Sequence, residues 1–482
     1  MLFNSVEYLF FLPIVFLLYW FVFQKKLKYQ NLFVVVVSYL FYGWWNWHFL
    51  LLIAFTTFCS YVSGLGISYY FVKRRSISKC LCAFNIVLNL SVLGVYKYYN
   101  FFVDSFIELF SFFGINLHPV TLNLILPVGI SFYTFQALSY TIDVYKGKIK
   151  ATEDIISFFA FISFFPQLVA GPIERATNLL PQFQRKRIFD YYAAVDGTKQ
   201  ILWGLFKKMV IADNCADIVD KVWVDTADTS SVMLILVAIL FAFQIYGDFS
   251  GYSDMAVGIG KLFGIESKKN FNLPYLSRDI AEFWKRWHIS LNTWFVEYVY
   301  IPLGGSKVSK FVTIRNTFII FLLSGLWHGA NWTFICWGFY HALLFVPLLL
   351  LNKTKRFGKY EVGKSITLKE WLNILLTFVL VTIGWIIFRS PDISVAFDYI
   401  KRLFDLSDYG MPNINPKRLF IILECMMAII FVAFMEIKHK TSDVVLSFAS
   451  QYRIVNFIGY IAVTIWAILF YSVGQTFIYF QF

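Results

Sequence analysis

Residues Trp327-His328-Gly329-Ala330-Asn331-Trp332-Thr333-Phe334 set an ionisable imidazole in a stretch with no Lys, Arg, Asp or Glu from Asn316 to Asn352. A titratable side chain at membrane depth is unfavourable, and such groups usually face a cavity or a functional pathway. His328 therefore has three candidate uses: proton acceptor in a reaction, element of a transport path, or packed core histidine. Upstream, Tyr246-Gly-Asp248-Phe-Ser250-Gly-Tyr-Ser253-Asp254-Met-Ala-Val-Gly258 places two carboxylates and two serine hydroxyls within seven residues of otherwise apolar chain. Its glycines permit close helix packing or local unwinding. Ser250 does not read as a hydrolase nucleophile. Gly247 is one residue too far away for a Gly-x-Ser-x-Gly elbow, and no strand precedes it.

Between these clusters, Asn270-Phe-Asn-Leu-Pro-Tyr275 is a loop by its Asn and Pro content. Asp279 followed by Glu282 marks a helix start, and Glu282 with Arg286 at i,i+4 is a favourable pair. The predicted helix stacks Trp284, His288, Leu291 and Phe295 on one face and presents Lys285, Arg286 and Asn292 on another. It is too polar to span a bilayer and is expected at an interface or dipping into a cavity. One reading makes it an interfacial helix with Trp anchors and snorkelling cations. The other makes it the floor of a substrate channel, with Arg286 and Lys285 near an anionic donor and His288 lining the path. Ile301-Pro-Leu-Gly-Gly305 ends the segment as a turn. His341 lies thirteen residues after His328, roughly 20 Å away if the helix is continuous. Gly325 and Gly329 make a break there plausible. His341 is expected to be a hydrogen-bonded structural residue.

The elements that must hold these groups follow from composition. Of 482 residues, 59% are hydrophobic, 15% are charged and 56 are Phe. A soluble protein cannot cover that much apolar surface, and long charge-free or nearly charge-free runs recur, so the fold class is an all-α polytopic membrane protein. The runs are Tyr8–Gln24, Tyr29–Val72, Cys80–Tyr96, Leu109–Ile142, Ile155–Ile173, Thr229–Gly247, Asn316–Asn352, Trp371–Phe388, Leu419–Met435 and Ile454–Phe482. The longest hold two spans each, for about eleven spans plus re-entrant or interfacial helices. Gly197–Asp213 is a weaker candidate, interrupted by Lys207 and Lys208. The net charge of +13 comes from basic residues dispersed between apolar runs. That is the positive-inside bias of cytoplasmic loops, compatible with an anionic donor or lipid at that face, and not a nucleic-acid surface. Lys25–Lys28 and Lys73–Lys79 should be cytoplasmic, which puts the N-terminus outside. The six cysteines suggest neither a disulfide framework nor a metal centre. The loop-like stretches Lys353–Lys369 and Asp405–Lys417 are too short to fold alone, so residues 1–482 are read as one integral domain.

Several of these segments carry a resemblance. Tyr246–Gly258, Phe283–Phe295, Ile301–Gly305, Trp327–His341 and the ending Phe477-Ile-Tyr-Phe-Gln-Phe482 resemble the membrane-bound O-acyltransferase (MBOAT) family. Leu126-Pro-Val-Gly-Ile-Ser-Phe132 and Pro166-Gln-Leu-Val-Ala-Gly-Pro172 add to it, so the likeness covers nearly the whole chain. The branch it looks most like is the membrane component of bacterial alginate O-acetylation, with its peptidoglycan and cellulose relatives. Ala342 departs from relatives that often carry Gly there, which touches packing more than chemistry.

The resemblance implies helices around a central funnel, a catalytic core of about residues 121–350, and an enzyme in the bacterial inner membrane. The family's essential histidine falls on His328 and its second conserved histidine on His288. Asp254, Ser253, Trp284, Arg286, Asn292, Trp327 and Asn331 are the accompanying substrate-site candidates. The expected reaction moves an acyl group, acetyl above all, from a cytoplasmic thioester such as acetyl-CoA or an acyl carrier to a hydroxyl on the far side. No bound cofactor or metal is needed, because a thioester is already activated. The reaction requires a base and oxyanion donors. His328 is the candidate base, since an imidazole titrates near neutrality. Asn331 or a backbone amide near Gly329 is the candidate oxyanion donor. The implied partner is an extracytoplasmic SGNH-type acetyltransferase acting on a polysaccharide. Two alternatives stand beside this: D-alanyl transfer from a carrier protein to teichoic acid, and a proton-coupled transporter or flippase using His328 as a relay.

Overall fold

The computed structural model describes residues 1–224, 226, 229–354, 356–357, 365–405, 408–410, 415–439, 446, 448, 452–471 and 477–478. Residues 479–482 of the ending and parts of the loops at 353–369 and 405–417 lie outside them. The described residues contain helices and no strand. That is the expected solution where lipid offers no partner to backbone polar groups. The chain divides into two compact units.

The first unit is Met1–Gly197 with Ala256–Lys268. It holds α1 (Val6–Leu17), α2 (Leu27–Gly43), α3 (His48–Lys73), α4 (Arg75–Leu93), α5 (Tyr99–Phe112), α6 (Ile130–Tyr145), α7 (Ile155–Ser163), α8 (Phe165–Leu168), α9 (Ala176–Phe183) and the start of α10 (Tyr191–Phe206). The run Tyr29–Val72 forms two helices, α2 and α3, around the Trp-rich turn, as its length predicted. A π turn joins α4 and α5 into one apolar rod, Arg75–Phe112. The run Leu109–Ile142 behaves differently. Residues 113–129 are not helical, and α6 starts from Gly129 at φ 73°, where a Cβ would meet Leu168 O at 2.0 Å. Buried amides and hydroxyls tie the helices together in place of a hydrophobic drive that lipid cannot supply. Asn85 on α4 donates to Ser60 on α3 at 3.2 Å and accepts from Thr141 on α6 at 2.8 Å.

The second unit is Thr198–Met255 with Lys269–Phe482. It holds the rest of α10, a π turn at Lys207–Ala212, α11 (Asp213–Val224), most of α12 (Ser231–Leu262), the short α13 (Ile280–Arg286) and α14 (Ile289–Phe295), then α15 (Lys310–His328), α16 (Trp332–Leu350), α17 (Leu368–Arg389), α18 (Ile393–Arg402), α19 (Pro416–Lys438) and α20 (Arg453–Leu469). The uncharged run Asn316–Asn352 becomes the α15–α16 hairpin. The core of this unit is aromatic, with Trp203, Trp287, Trp337 and Trp385 almost wholly buried.

Seven helices among the described residues are long and apolar enough to cross a membrane: α3, the α4–α5 rod, α12, α15, α16, α17 and α19. Val6–Val22 and Arg453–Leu469 are shorter apolar helices. Other apolar runs counted toward the expected eleven form short buried helices, such as α6 with 16 residues and α7 with 9.

Candidate functional site

Every candidate site residue falls in the second unit. His328 is the last residue of α15 and is buried. The helix stops because Gly329 turns extended, at φ −165° and ψ 160°. Asn331 then restarts it: its Oδ1 caps α16 by accepting from Thr333 N at 3.0 Å, while its Nδ2 donates to Pro391 O at 2.8 Å. The break anticipated at this glycine is present. The two arms cross closely because a Cβ on Gly325 would lie 2.2 Å from Phe334 O, and one on Gly338 2.3 Å from Phe321 O. This crossing overturns the separation of about 20 Å inferred from a continuous helix. The Trp337 indole lies 5.2 Å from the His328 ring and 5.0 Å from the His341 ring.

His341 also departs from its expected role. It is fully buried, and neither ring nitrogen has a hydrogen-bond partner among the described residues. Aromatic edges hold it instead, including Trp284 at 4.9 Å and an interplanar angle of 90°.

The predicted helix over His288 is two helices. Its start is as expected, with Asp279 accepting from Glu282 N at 2.7 Å. It ends at Arg286, and His288 occupies the left-handed region at φ 43° and ψ 55° before α14 begins. A continuous helix would have stacked Trp284 on His288. The corner separates them. Trp284 packs on His341, while the His288 ring faces Phe249 of α12 at 4.6 Å and Trp327 at 5.6 Å. Trp327 in turn lies 4.9 Å from the His328 ring. The two histidines picked out from sequence therefore meet on one indole. Burial pushes the His288 imidazole down to about 3, so it is neutral at physiological pH.

The accompanying polar residues are mostly bonded within the protein. Arg286 Nη2 pairs with Glu282 Oε1 at 2.7 Å. Arg278 pairs with the same oxygen and with Glu370, each at 2.8 Å. The two guanidiniums thus meet two carboxylates. Lys285 is exposed and donates to Thr354 O at 2.7 Å. Asn292, expected on an open face, donates to Trp284 O at 2.5 Å and Trp287 O at 2.7 Å.

On α12 the Asp248–Asp254 segment is unbroken helix, so its glycines serve packing: a Cβ on Gly251 would lie 2.7 Å from Gly204 O. Ser253 is buried there, and Asp254 is partly exposed. Sequence reasoning missed what holds these carboxylates. The π turn brings Lys207 and Lys208, both buried, to the same side. Lys207 Nζ donates to Asp254 Oδ2 at 2.6 Å and to Ser250 Oγ at 2.8 Å, and Gln200 donates to Asp254 Oδ1 at 3.1 Å. Lys208 pairs with Asp213 and Asp248, each at 2.7 Å. Tyr246 donates to the Glu436 carboxylate. The carboxy-terminal segment returns here too. Ile478 N donates to Asp248 Oδ2 at 2.6 Å, and Phe477 packs 4.9 Å from Tyr252. Two lysines inside an apolar run were the available signal, since charges at membrane depth are functional by default.

The second unit thus holds two buried imidazoles on one indole and a separate set of buried lysine–carboxylate pairs. The model of the membrane-bound O-acyltransferase family, MBOAT, matches residues 149–357. A probable alginate O-acetylase AlgI of Azotobacter vinelandii is 40% identical over 421 residues, 87% of this chain and 81% of that protein. A peptidoglycan O-acetyltransferase of Helicobacter pylori is 34% identical over 86% of this chain and 82% of its own length. A teichoic acid D-alanyltransferase of Streptococcus thermophilus is 28% identical over 67% of this chain and 90% of its own. With such identity across most of both chains, this protein belongs to the membrane-bound O-acyltransferase family.

Proposed function

We propose that this multi-pass membrane O-acyltransferase moves an acetyl group from a cytoplasmic thioester, acetyl-CoA, to a hydroxyl on the far side of a bacterial inner membrane. The acetyl group then reaches an extracytoplasmic polysaccharide through an SGNH-type partner. The basic loops support this orientation, with the N-terminus outside. His328 takes the acceptor hydroxyl's proton as its oxygen attacks the thioester carbonyl. The C–O bond forms, the C–S bond breaks, and the proton passes from the imidazolium to the leaving thiolate. His328 sits at the C-terminal end of α15, where the helix dipole favours the transient imidazolium. His288, kept neutral by burial, lines the path. The oxyanion falls to backbone amides at the Gly329 break, because the Asn331 amide already holds Pro391 O.

The observation that carries this reading is the convergence of His328 and His288 on Trp327. The test is transfer of labelled acetyl from acetyl-CoA by His328→Ala and His328→Gln in purified membranes. Loss of transfer in folded protein is expected, and undiminished transfer would sink the assignment. The acetyl reading is favoured over D-alanyl transfer by the higher identity to proteins named for O-acetylation. Offering a D-alanyl carrier protein in place of acetyl-CoA separates the two. Membership of an acyltransferase family sets the transporter reading aside.

A further inference from the structure

The corner between α13 and α14 is not held by its own backbone preference. His288 has a Cβ and sits in the left-handed region, which is uncommon for a residue other than glycine, costs free energy, and persists where the surroundings support it. Two asparagines support it. Asn292, one turn into α14, donates its side-chain amide to Trp284 O and Trp287 O at 2.5 and 2.7 Å. These are carbonyls at the end of α13, the groups a helix end leaves without intrahelical donors. On the other side, Asn270 O accepts from Ile289 N at 2.9 Å, and Asn270 Oδ1 accepts from Ser290 N at 3.4 Å. Peptide groups immediately before and after His288 are therefore both bonded.

We infer that Asn292 is a positioning residue that acts on the reaction through His288. It holds the corner that aims the imidazole between Phe249 and Trp327, and it does not contact substrate. The chemistry is specific to an amide donor. A carboxylate at 292 would face two carbonyl oxygens, and alanine would leave both without this partner. The inference rests on the proposed acyl transfer for its kinetic arm alone.

The experiment uses the full chain in nanodiscs, with Asn292→Ala and Asn292→Asp made alone and in His288→Gly and His288→Ala backgrounds. In the melting arm, Asn292→Ala should lower the melting temperature clearly less in the native background than with His288→Gly, because an unclamped His288 recovers part of the loss by leaving the strained conformation, whereas glycine has no strain to release. Equal drops overturn the clamp. In the transfer arm, Asn292→Ala and Asn292→Asp should lower kcat tenfold or more with KM within twofold. With His288→Ala present, Asn292→Ala should add no more than a further twofold. A raised KM at unchanged kcat, or the same loss in both backgrounds, overturns the inference. Asn292→Ser offers one donor for two acceptors and should fall between, giving a readout if the alanine variant does not fold. Full transfer by His328→Gln would sink the proposed reaction while the melting arm still decides the clamp.

Discussion

A methyl group at position 325 tests whether the α15–α16 crossing sets the site. The Cβ of Gly325→Ala would stand 2.2 Å from Phe334 O and 2.9 Å from Phe334 C, where real Cβ contacts stay beyond 3.0 Å. Both are backbone atoms inside α16, so no rotamer change relieves the clash. The hairpin must open by about 1 Å, because interiors packed to crystal-like density have no slack to absorb it. Overpacking of this kind destabilises by about 1–3 kcal/mol. On the role proposed for His328, the kinetic consequence is of similar size. His328 is three residues on, along the same helix, and its ring is placed by Trp337 of α16 and Phe388 of α17. A displacement of about 1 Å in an oriented catalytic group costs up to about 100-fold in rate. Labelled acyl transfer in proteoliposomes, normalised to folded protein, should therefore fall ten- to a hundredfold. Gly338→Ala, whose Cβ would meet Phe321 O at 2.3 Å, should behave alike. Gly94→Ala, with nothing within 4 Å, should keep both stability and rate. A folded Gly325→Ala enzyme turning over at the wild-type rate would refute the claim that this crossing positions His328.

Three further perturbations probe other parts of the second unit. Lys208→Met leaves Asp213 and Asp248 without their shared cation and should lower unfolding stability by about 3–5 kcal/mol. The neutral set Lys208→Met, Asp213→Asn, Asp248→Asn should recover most of it, and a triple variant no more stable than the single would contradict the ion-pair account. Burial would raise the Glu282 carboxyl, but bonds from Arg278 and the charge of Arg286 outweigh it and hold the group below its ordinary value. A depressed folded value gives stability that is present at neutral pH and lost as pH falls through it. The melting gap between wild type and Glu282→Gln should therefore narrow on acidification, and a gap independent of pH would count against it. His341→Leu removes a buried imidazole without a hydrogen bond among the described residues. Its melting should stay within about 1 kcal/mol of wild type, because the lost edge contacts and the removed polar group offset each other. A loss of several kcal/mol would show that His341 has a polar role.

How far the sequence reached depended on whether each feature was written locally. The seven long spans were legible as apolar runs, but the same signal also marked runs that fold as short buried helices, such as α6 and α7. The break after His328 was legible because Gly325 and Gly329 flank Trp327-His328; the cap that Asn331 supplies was not anticipated. The corner at His288 was not. Asp279 to Phe295 carries no glycine or proline, and its period fits one helix, so local rules extend it. What bends the chain is Asn270, eighteen residues upstream, together with an amide four residues downstream whose acceptors lie back across the corner. Lys207 and Lys208 were visible as charges, but they were read as an interruption because, apart from Asp213, their carboxylates at 248 and 254 are some forty residues away. The same distinction separates three buried imidazoles that composition treats alike. His341 lies within regular helix and is packed by aromatic edges. His328 ends a helix and His288 stands between two, so both lie where the backbone turns. Only the first of those two bends has a local signature, and that is why the corner at His288, and the amides bonded across it, emerged only in three dimensions.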